Sequence, residues 1–381
     1  TFADSTVASG TGIDENGMGQ CVADFNGDGL LDWYVTSIAP LELPSDETGN
    51  MLYINQGHQQ YTEVSEVSGV NDGGWGWGAV AVDFDNDGDV DIAENNGWYL
   101  EGYVDEQMYL YLNDGDLNFT ESALALGVDF QNPHGNGLMC FDPDKDGDLD
   151  MLALGTEADV HYFQNDLSGP DTHDLIVRLD SAGQPGIAPD GEGAAIHVTA
   201  GGQTQIGVIT GGASYLSSSE LLAHFGLGAS TTADEVEVTW PDGTVRTLTG
   251  VPADTDLTVT CCAGWKNLEA GLAGPSGEPL LEGAGTLVEG DPISLTLTDG
   301  PPWEVAWFVL GLSRWDAAFE GGTLVPTLDI TIPIPLDGAG GFVIADTWPA
   351  DVPAGLQMFV QYWIEETGGW TASNAVSATV P

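Results

Sequence analysis

Positive charge is almost missing from these 381 residues. Lys145, Arg178, Arg246, Lys266 and Arg314 are the five basic side chains, set against sixty Asp and Glu for a formal net charge of −55. With no basic patch to neutralise phosphates, nucleic acid and anionic membranes are excluded as partners. Long apolar runs are missing too. The longest uncharged one, Val305 to Leu312, falls far short of the roughly 20 residues a spanning helix needs, so no membrane insertion is expected. Cysteine is scarce: four residues, with no Cys-x-x-Cys pair and no Cys/His zinc spacing, exclude a disulfide scaffold and a structural zinc site. Cys21 and Cys140 read as buried apolar side chains, whereas the adjacent Cys261 and Cys262 leave a disulfide or an intermolecular link open. A signal peptide is not visible, and its removal is expected if Thr1 is a processed end. Acidity here does not mean disorder, because a hydrophobic content of 42% is ample for packed cores.

What is abundant is aspartate in three short loops. They run Asp24-Phe25-Asn26-Gly27-Asp28-Gly29-Leu30-Leu31-Asp32, Asp83-Phe84-Asp85-Asn86-Asp87-Gly88-Asp89-Val90-Asp91 and Asp142-Pro143-Asp144-Lys145-Asp146-Gly147-Asp148-Leu149-Asp150. Oxygen side chains at positions 1, 3, 5 and 9, with glycine at 6, are what a hard cation such as Ca²⁺ needs from one tight loop. The first aspartates stand at 24, 83 and 142, so each loop belongs to a unit repeated every 59 residues.

The repeat extends beyond the loops. Gly17/Gly19, Gly76/Gly78 and Gly135/Gly137 precede them, and an apolar run leads into each first aspartate. A second apolar stretch follows the ninth position. Further on come Met51 to Asn55, Met108 to Asn113 and Val160 to Asn165, then a closing block at Tyr61-Thr62-Glu63 and Phe119-Thr120-Glu121. Phe2-Ala3-Asp4 reads as one earlier copy of that block. The segments are short, rich in β-branched and aromatic residues, free of 3.6-residue periodicity and divided by Gly, Asn and Asp turns. Four strands per unit predict propeller blades.

Residues 14–168 resemble FG-GAP (integrin-α-like, VCBS-type) repeats, in which such a loop joins the first two strands of a blade. The resemblance implies three Ca²⁺ sites. Their ligands would be Asp24, Asn26, Asp28 and Asp32; Asp83, Asp85, Asp87 and Asp91; and Asp142, Asp144, Asp146 and Asp150. Position 7 (Leu30, Asp89, Asp148) would supply a backbone carbonyl. Position 12 is Val35, Glu94 and Ala153, so the bidentate glutamate of an EF-hand occurs once only, and the flanks are strands. A closed propeller takes about 4–8 blades, and three are visible. The expectation is a longer precursor from which blades have been removed, or an open array completed by another copy in a homo-oligomer or fibre.

Downstream the repeat stops. His224-Phe225-Gly226-Leu227-Gly228, followed by Trp240-Pro241-Asp242-Gly243, resembles the ASPIC/UnbV domain that typically follows FG-GAP repeats in secreted proteins. The habitual Asn-Arg before its Gly-Ala strand is replaced by Ile187 to Ala194. His224 near Ser217, Ser218 and Ser219 suggests a catalytic pair, yet no Gly-x-Ser-x-Gly elbow or paired base accompanies it, so a structural histidine is expected. A Gly/Pro-rich linker then leads to a region holding, with Trp265, seven of the twelve tryptophans. Its alternating runs predict a small β-sandwich. The Trp content reads first as core packing and otherwise as a sugar-stacking face or protein interface.

The fold expected is therefore all-β: partial FG-GAP propeller blades over 1–168, an ASPIC/UnbV-like domain over 169–262, a linker over 263–277 and a β-sandwich over 278–381. The function expected is a secreted or cell-surface bacterial protein, structural or adhesive and not an enzyme, with Ca²⁺ rigidifying the blades and a protein or glycan as partner. The second reading is a carbohydrate-binding protein using the Trp-rich sandwich or Trp75 and Trp77. Thirteen of the sixty acidic residues lie in the loops, and three Ca²⁺ would contribute six positive charges. Metal binding does not explain the charge, which suits a solvated acidic surface in saline or Ca-rich surroundings.

Overall fold

The computed structural model describes residues 2–14, 16–40, 48–104, 106–128, 134–156, 159–181, 187–261, 265–285, 287–350, 352–353 and 356–380. Strands take up 49% of the chain and helix 3%, so the fold is all-β as expected. Two compact units emerge, one of residues 1–179 with 190–259 and the other of 180–189 with 260–381.

The first unit begins with the repeats. β1 (Gln20–Ala23), β2 (Asp32–Val35), β3 (Met51–Asn55) and β4 (Tyr61–Glu63) pair in that order as an antiparallel meander. β5 (Gly76–Val82), β6 (Asp91–Asn96), β7 (Tyr109–Asn113) and β8 (Phe119–Glu121) repeat it. β9 (Gly135–Phe141), β10 (Asp150–Gly155) and β11 (His161–Phe163) form a third sheet of three strands. Single helical turns follow the closing blocks at Thr6–Ser9, Ser65–Ser68 and Ala123–Leu126. Each ends on a left-handed glycine, Gly10, Gly69 or Gly127, whose N–H caps the turn. The turn after Phe2-Ala3-Asp4 thus matches the other two.

Each blade is too thin to bury its own faces, so the cores lie between neighbours. Cys21, Phe25, Tyr34 and Leu52 of the first blade pack with Ala79, Ile92, Tyr111 and Phe119 of the second. Val80, Phe84 and Leu110 of the second pack with Leu138, Cys140 and Met151 of the third. The cysteines of β1 and β9 are buried here as apolar side chains.

The second glycine of each Gly-x-Gly pair marks where inner strands meet. A Cβ on Gly19 would strike the Trp77 carbonyl, and one on Gly78 would lie 2.6 Å from the Asn136 carbonyl. The third copy, Gly137, faces Ser217 instead. Residues 212–220 thus stand where another inner strand would. At one side Ser214 N–H donates to the Gln20 carbonyl (2.7 Å) and Gln20 Nε2 to the Gly212 carbonyl (2.8 Å). At the other, Leu138 and Cys140 N–H donate to the Ser217 and Ser219 hydroxyls (3.1 and 3.0 Å), and Glu220 N–H to the Cys140 carbonyl (3.1 Å). Part of the edge that the sequence leaves open is met within the chain.

That segment belongs to the β-region after the blades. It comprises β12 (His173–Asp180), β13 (Ala195–Ala200), β14 (Gln203–Val208), β15 (Ala223–Gly228), β16 (Thr232–Thr239), β17 (Val245–Pro252) and β18 (Thr255–Thr260). They form the sheets β15-β12-β18 and β14-β13-β16-β17. The Pro241-Asp242-Gly243 turn closes β16 on β17, with Gly243 left-handed at φ 88°.

The second unit is a sandwich. One sheet orders Trp265–Asn267, Val376–Thr379, Gln357–Glu366, Val305–Gly311 and Ile330–Pro335, and Gly369–Ala372 also pairs with Gln357–Glu366. The other orders Leu280–Ala284, Pro292–Thr298 and Phe342–Thr347. Leu281, Leu295 and Leu297 meet Phe308, Val360 and Tyr362 in the core. Trp265 and Trp363 are buried, whereas Trp303, Trp307 and Trp315 are exposed, so the tryptophans divide between core and surface. Cys261 is buried, its N–H bonded to the Asp180 carbonyl, and Cys262 lies outside the described residues.

Candidate metal centres

The three aspartate loops connect β1 to β2, β5 to β6 and β9 to β10. Their shape follows from two left-handed residues each. At position 4 these are Gly27, Asn86 and Lys145 (φ 59–68°), and at position 6 Gly29, Gly88 and Gly147 (φ 83–104°). Two such residues curl the backbone so that its amides point inward. Asp24 accepts from the N–H of Asp28 and Gly29 (3.1 and 2.8 Å), and Asp83 from those of Asp87 and Gly88 (3.2 and 2.8 Å). Asp142 accepts from Lys145 N–H at 2.7 Å.

Positions 1, 3 and 5 come together. In the second loop one oxygen each of Asp83, Asp85 and Asp87 lie within 4.8 Å of one another, and in the third the same holds for Asp142, Asp144 and Asp146. In the first, Asn26 and Asp28 are in hydrogen-bond contact at 3.1 Å. Asp85 Oδ1 is shielded from solvent and accepts no hydrogen bond. A buried carboxylate oxygen without a donor, among two further carboxylates, fits a cation. The oxygen-only donor set fits a hard one, Ca²⁺ or a similar ion.

The electrostatics agree. Burial, then the nearby Asp87 and Asp85, pushes the Asp83 carboxyl up to about 8. Burial likewise raises Asp24, Asp85, Asp142 and Asp146. Without a cation, Asp24, Asp83, Asp85, Asp142 and Asp146 are therefore harder to ionise than free carboxyl groups. A bound divalent ion would supply compensating charge and favour their ionised forms.

Position 9 serves a second purpose. Asp32, Asp91 and Asp150 are wholly buried. Asp91 accepts from Phe84 N–H through Oδ2 (2.9 Å) and from Asn113 N–H through Oδ1 (2.8 Å); Asp32 does the same with Phe25 and Asn55. Asp150 accepts from Asn165 N–H (2.8 Å) and the Tyr162 hydroxyl. Burial lifts Asp32 to about 7 and Asp91 to about 9. Position 7 diverges: the Asp148 carboxylate accepts from Asn86 Nδ2 (2.7 Å) and the Ser168 hydroxyl (2.5 Å), and thus braces the third loop against the second.

Asn55, Asn113 and Asn165, which in the sequence stand only as ends of a block, bind the loops through their side chains. Asn113 Nδ2 donates to the Val90 carbonyl of its own loop (3.1 Å) and to the Phe25 carbonyl of the preceding blade's loop (3.0 Å). Asn165 Nδ2 reaches the Phe84 carbonyl in the same way (2.9 Å). The recurrence of asparagine at the end of the third strand or just beyond it is the available signal.

The His224 to Gly228 motif lies on these loops. His224 Nε2–H donates to the Gly147 carbonyl (3.0 Å), and Gly228 N–H to the Asn86 carbonyl (3.0 Å). Burial depresses His224 to about 4, leaving it neutral. The Ser217 and Ser219 hydroxyls are engaged with β9. Trp77, expected at an accessible edge, is buried: its N–H donates to the Gly97 carbonyl, and Trp98 and Tyr215 cover its ring. Trp75 packs between Trp98 and Tyr103.

Comparison with known proteins agrees with the two modules. Residues 24–93 match the FG-GAP-like repeat and 185–263 match ASPIC and UnbV. The chain is 28% identical over 253 residues to Cartilage acidic protein 1 of Xenopus tropicalis, an alignment covering 65% of this chain and 37% of that protein. The chain thus spans little more than a third of that relative's length. Among solved structures, a DUF3823 family protein from Bacteroides uniformis is 11% identical, over 55% of this chain and 100% of the other, with a TM-score of 0.19. A tetra-tandem repeat from the extending region of a large adhesion protein is 11% identical, over 96% and 93%, with a TM-score of 0.17. Both scores lie far below that of a shared fold, so no functional argument rests on them.

Proposed function

We propose that this chain is the calcium-binding part of an extracellular structural or adhesive protein, in which Ca²⁺ fixes the corner between the first two strands of each blade. One observation carries the reading: carboxylates at positions 1, 3 and 5 converge in the second and third loops, with Asp85 Oδ1 buried and lacking a donor. The FG-GAP match spans the first two loops, and the 59-residue period extends the reading to all three. Millimolar calcium outside cells suits loops of this kind. The name of the Xenopus relative, an acidic protein of cartilage, is consistent with an extracellular setting. Among the described residues no helix is long and apolar enough to cross a membrane. In this reading the chain carries no catalytic centre.

The role of the metal is mechanical. Position 9 ties each loop to the third strand, and the following asparagine ties the second and third blades to the loop before. A cation that lets the loop carboxylates ionise therefore stabilises the joints between blades, not the loop alone. At free Ca²⁺ a hundredfold above Kd, each site would add about 2.7 kcal/mol.

Calorimetric titration and elemental analysis of the full chain test this, with three Ca²⁺ expected and a melting temperature that drops on adding excess EDTA and recovers with Ca²⁺. An unchanged melting temperature would sink the reading. Glycan binding through Trp75 and Trp77 has less support, because both rings are engaged within the protein.

A further inference from the structure

The second unit contains an aromatic slot that metal binding leaves unused. The hairpin of Arg314–Phe319 and Gly322–Pro326 lies beside the face of the larger sheet turned away from the sandwich core, and between them is a cavity of about 430 Å³. Its walls include Trp307, Trp315, Phe319, Trp363 and Trp370. Phe319 meets Trp363 and Trp370 edge-on at 4.9 and 5.8 Å, which holds the rings in place. The Trp363 N–H already donates to Gln361 Oε1 at 3.1 Å. Indole N–H groups aside, Thr331 is the one polar side chain among the described lining residues.

This lining selects by exclusion. A sugar needs polar side chains beside its stacking platform, and these walls offer one hydroxyl. A primary ammonium or guanidinium would bring N–H donors and find almost no acceptors. Ring faces nevertheless attract positive charge through their quadrupoles. The surroundings add to that attraction. Glu365 is exposed, lies two residues beyond Trp363 on the same face of its strand and stands opposite Trp370 in register. The hairpin's own cation, Arg314, is paired with Asp316 at 2.8 Å.

We propose that this slot binds a quaternary ammonium group, a cation without N–H donors, held against the tryptophan faces and attracted by Glu365. The test titrates choline chloride into the full calcium-loaded chain at constant ionic strength, with tryptophan fluorescence as readout. A saturable change is expected. The neutral carbon isostere 3,3-dimethylbutan-1-ol should bind about tenfold more weakly, and Trp315→Leu should weaken choline by about tenfold while Trp315→Phe retains most of the affinity. Glu365→Gln, an exposed change expected to weaken choline severalfold, keeps the test open should Trp315→Leu not fold. The proposal is overturned if choline gives no saturable change, or if the isostere binds equally well, which would mean a plain apolar pocket. It is also overturned if ammonium chloride gives the same response, or if both Trp315→Leu and Glu365→Gln bind choline normally.

Discussion

Gly226 stands so close to Asp83 that a methyl group on its Cα would collide with the Asp83 carboxylate, and would also lie 2.7 Å from the backbone of Asn86. The second module of the first unit is thereby seated on position 1 of the second aspartate loop. Gly226→Ala should push β15 off that loop or distort the loop itself, at about 1–3 kcal/mol as for other overpacked sites. Denaturant unfolding of the calcium-loaded protein would measure it. Calcium affinity should fall in parallel if the displaced group is a ligand as proposed. A variant as stable as the parent would show that the two modules are not seated this way.

Asp85 offers a narrower change. Its Oδ1 accepts no hydrogen bond, so Asp85→Ala removes a proposed ligand oxygen without breaking that part of the network. The second loop should then lose on the order of tenfold or more in Ca²⁺ affinity, since affinity follows ligand charge. Elemental analysis at a free Ca²⁺ that fills the parent's sites but lies below the weakened Kd should give two ions per chain in place of three. In the presence of EDTA the variant should melt at or slightly above the parent, because a repelling carboxylate has gone.

Asn113 and Asn55 occupy equivalent positions with unequal reach. Both accept through Oδ1 from the N–H two residues on, Gly57 or Gly115, but Asn113 Nδ2 donates to two carbonyls, one of them Phe25 in the preceding blade, whereas Asn55 Nδ2 donates to Leu31 of its own loop. Asn113→Ala leaves two carbonyls without that donor, at about 1–3 kcal/mol for each buried group. Asn55→Ala should be milder. Urea midpoints of the two variants, compared at saturating Ca²⁺, would establish the order, and equal losses would contradict a joint between blades.

The loops and strands were legible because their information is local. Glycine at position 6, alternating apolar residues and a 59-residue period can each be read within one unit. What the side chains hold was not. Asn113 acts on Phe25, 88 positions away, and nothing local to Asn113 encodes that bond. Gly226 is required by Asp83, far earlier in the chain, so the motif around it could be matched to a family but not explained. Trp77 was expected at a sugar-binding edge, yet the flanking Gly76 and Gly78 mark close backbone approach, and the indole is buried. Ser217 to Ser219 suggested a nucleophile because serine side chains bonding an open strand edge leave no periodic signature.

Glu94 supplies the pH dependence. It is wholly buried in β6, accepting from the Tyr34 hydroxyl at 2.6 Å and from Asn50 Nδ2 at 2.7 Å, both in the first blade. Burial, opposed by those two bonds and reinforced by Glu106 and Asp72, raises it from 4.5 to about 8, and burial lifts Glu106 to about 7. Between about 4.5 and 8 the folded state therefore holds a proton at Glu94 that the unfolded chain has released. The unfolded state binds fewer protons, so stability falls as pH rises through this window and is greatest at its acid end, an effect on the order of a few kcal/mol. Saturating Ca²⁺ keeps the loop carboxylates from contributing a parallel slope. Glu94→Gln keeps the bond to Tyr34 and removes the titration, so its stability should change less from pH 5.5 to 8, with the slopes due to Glu106 and to Asp174, which burial also lifts to about 7, remaining. The comparison is read from urea unfolding at several pH values, and identical slopes for parent and variant would refute the assignment to Glu94.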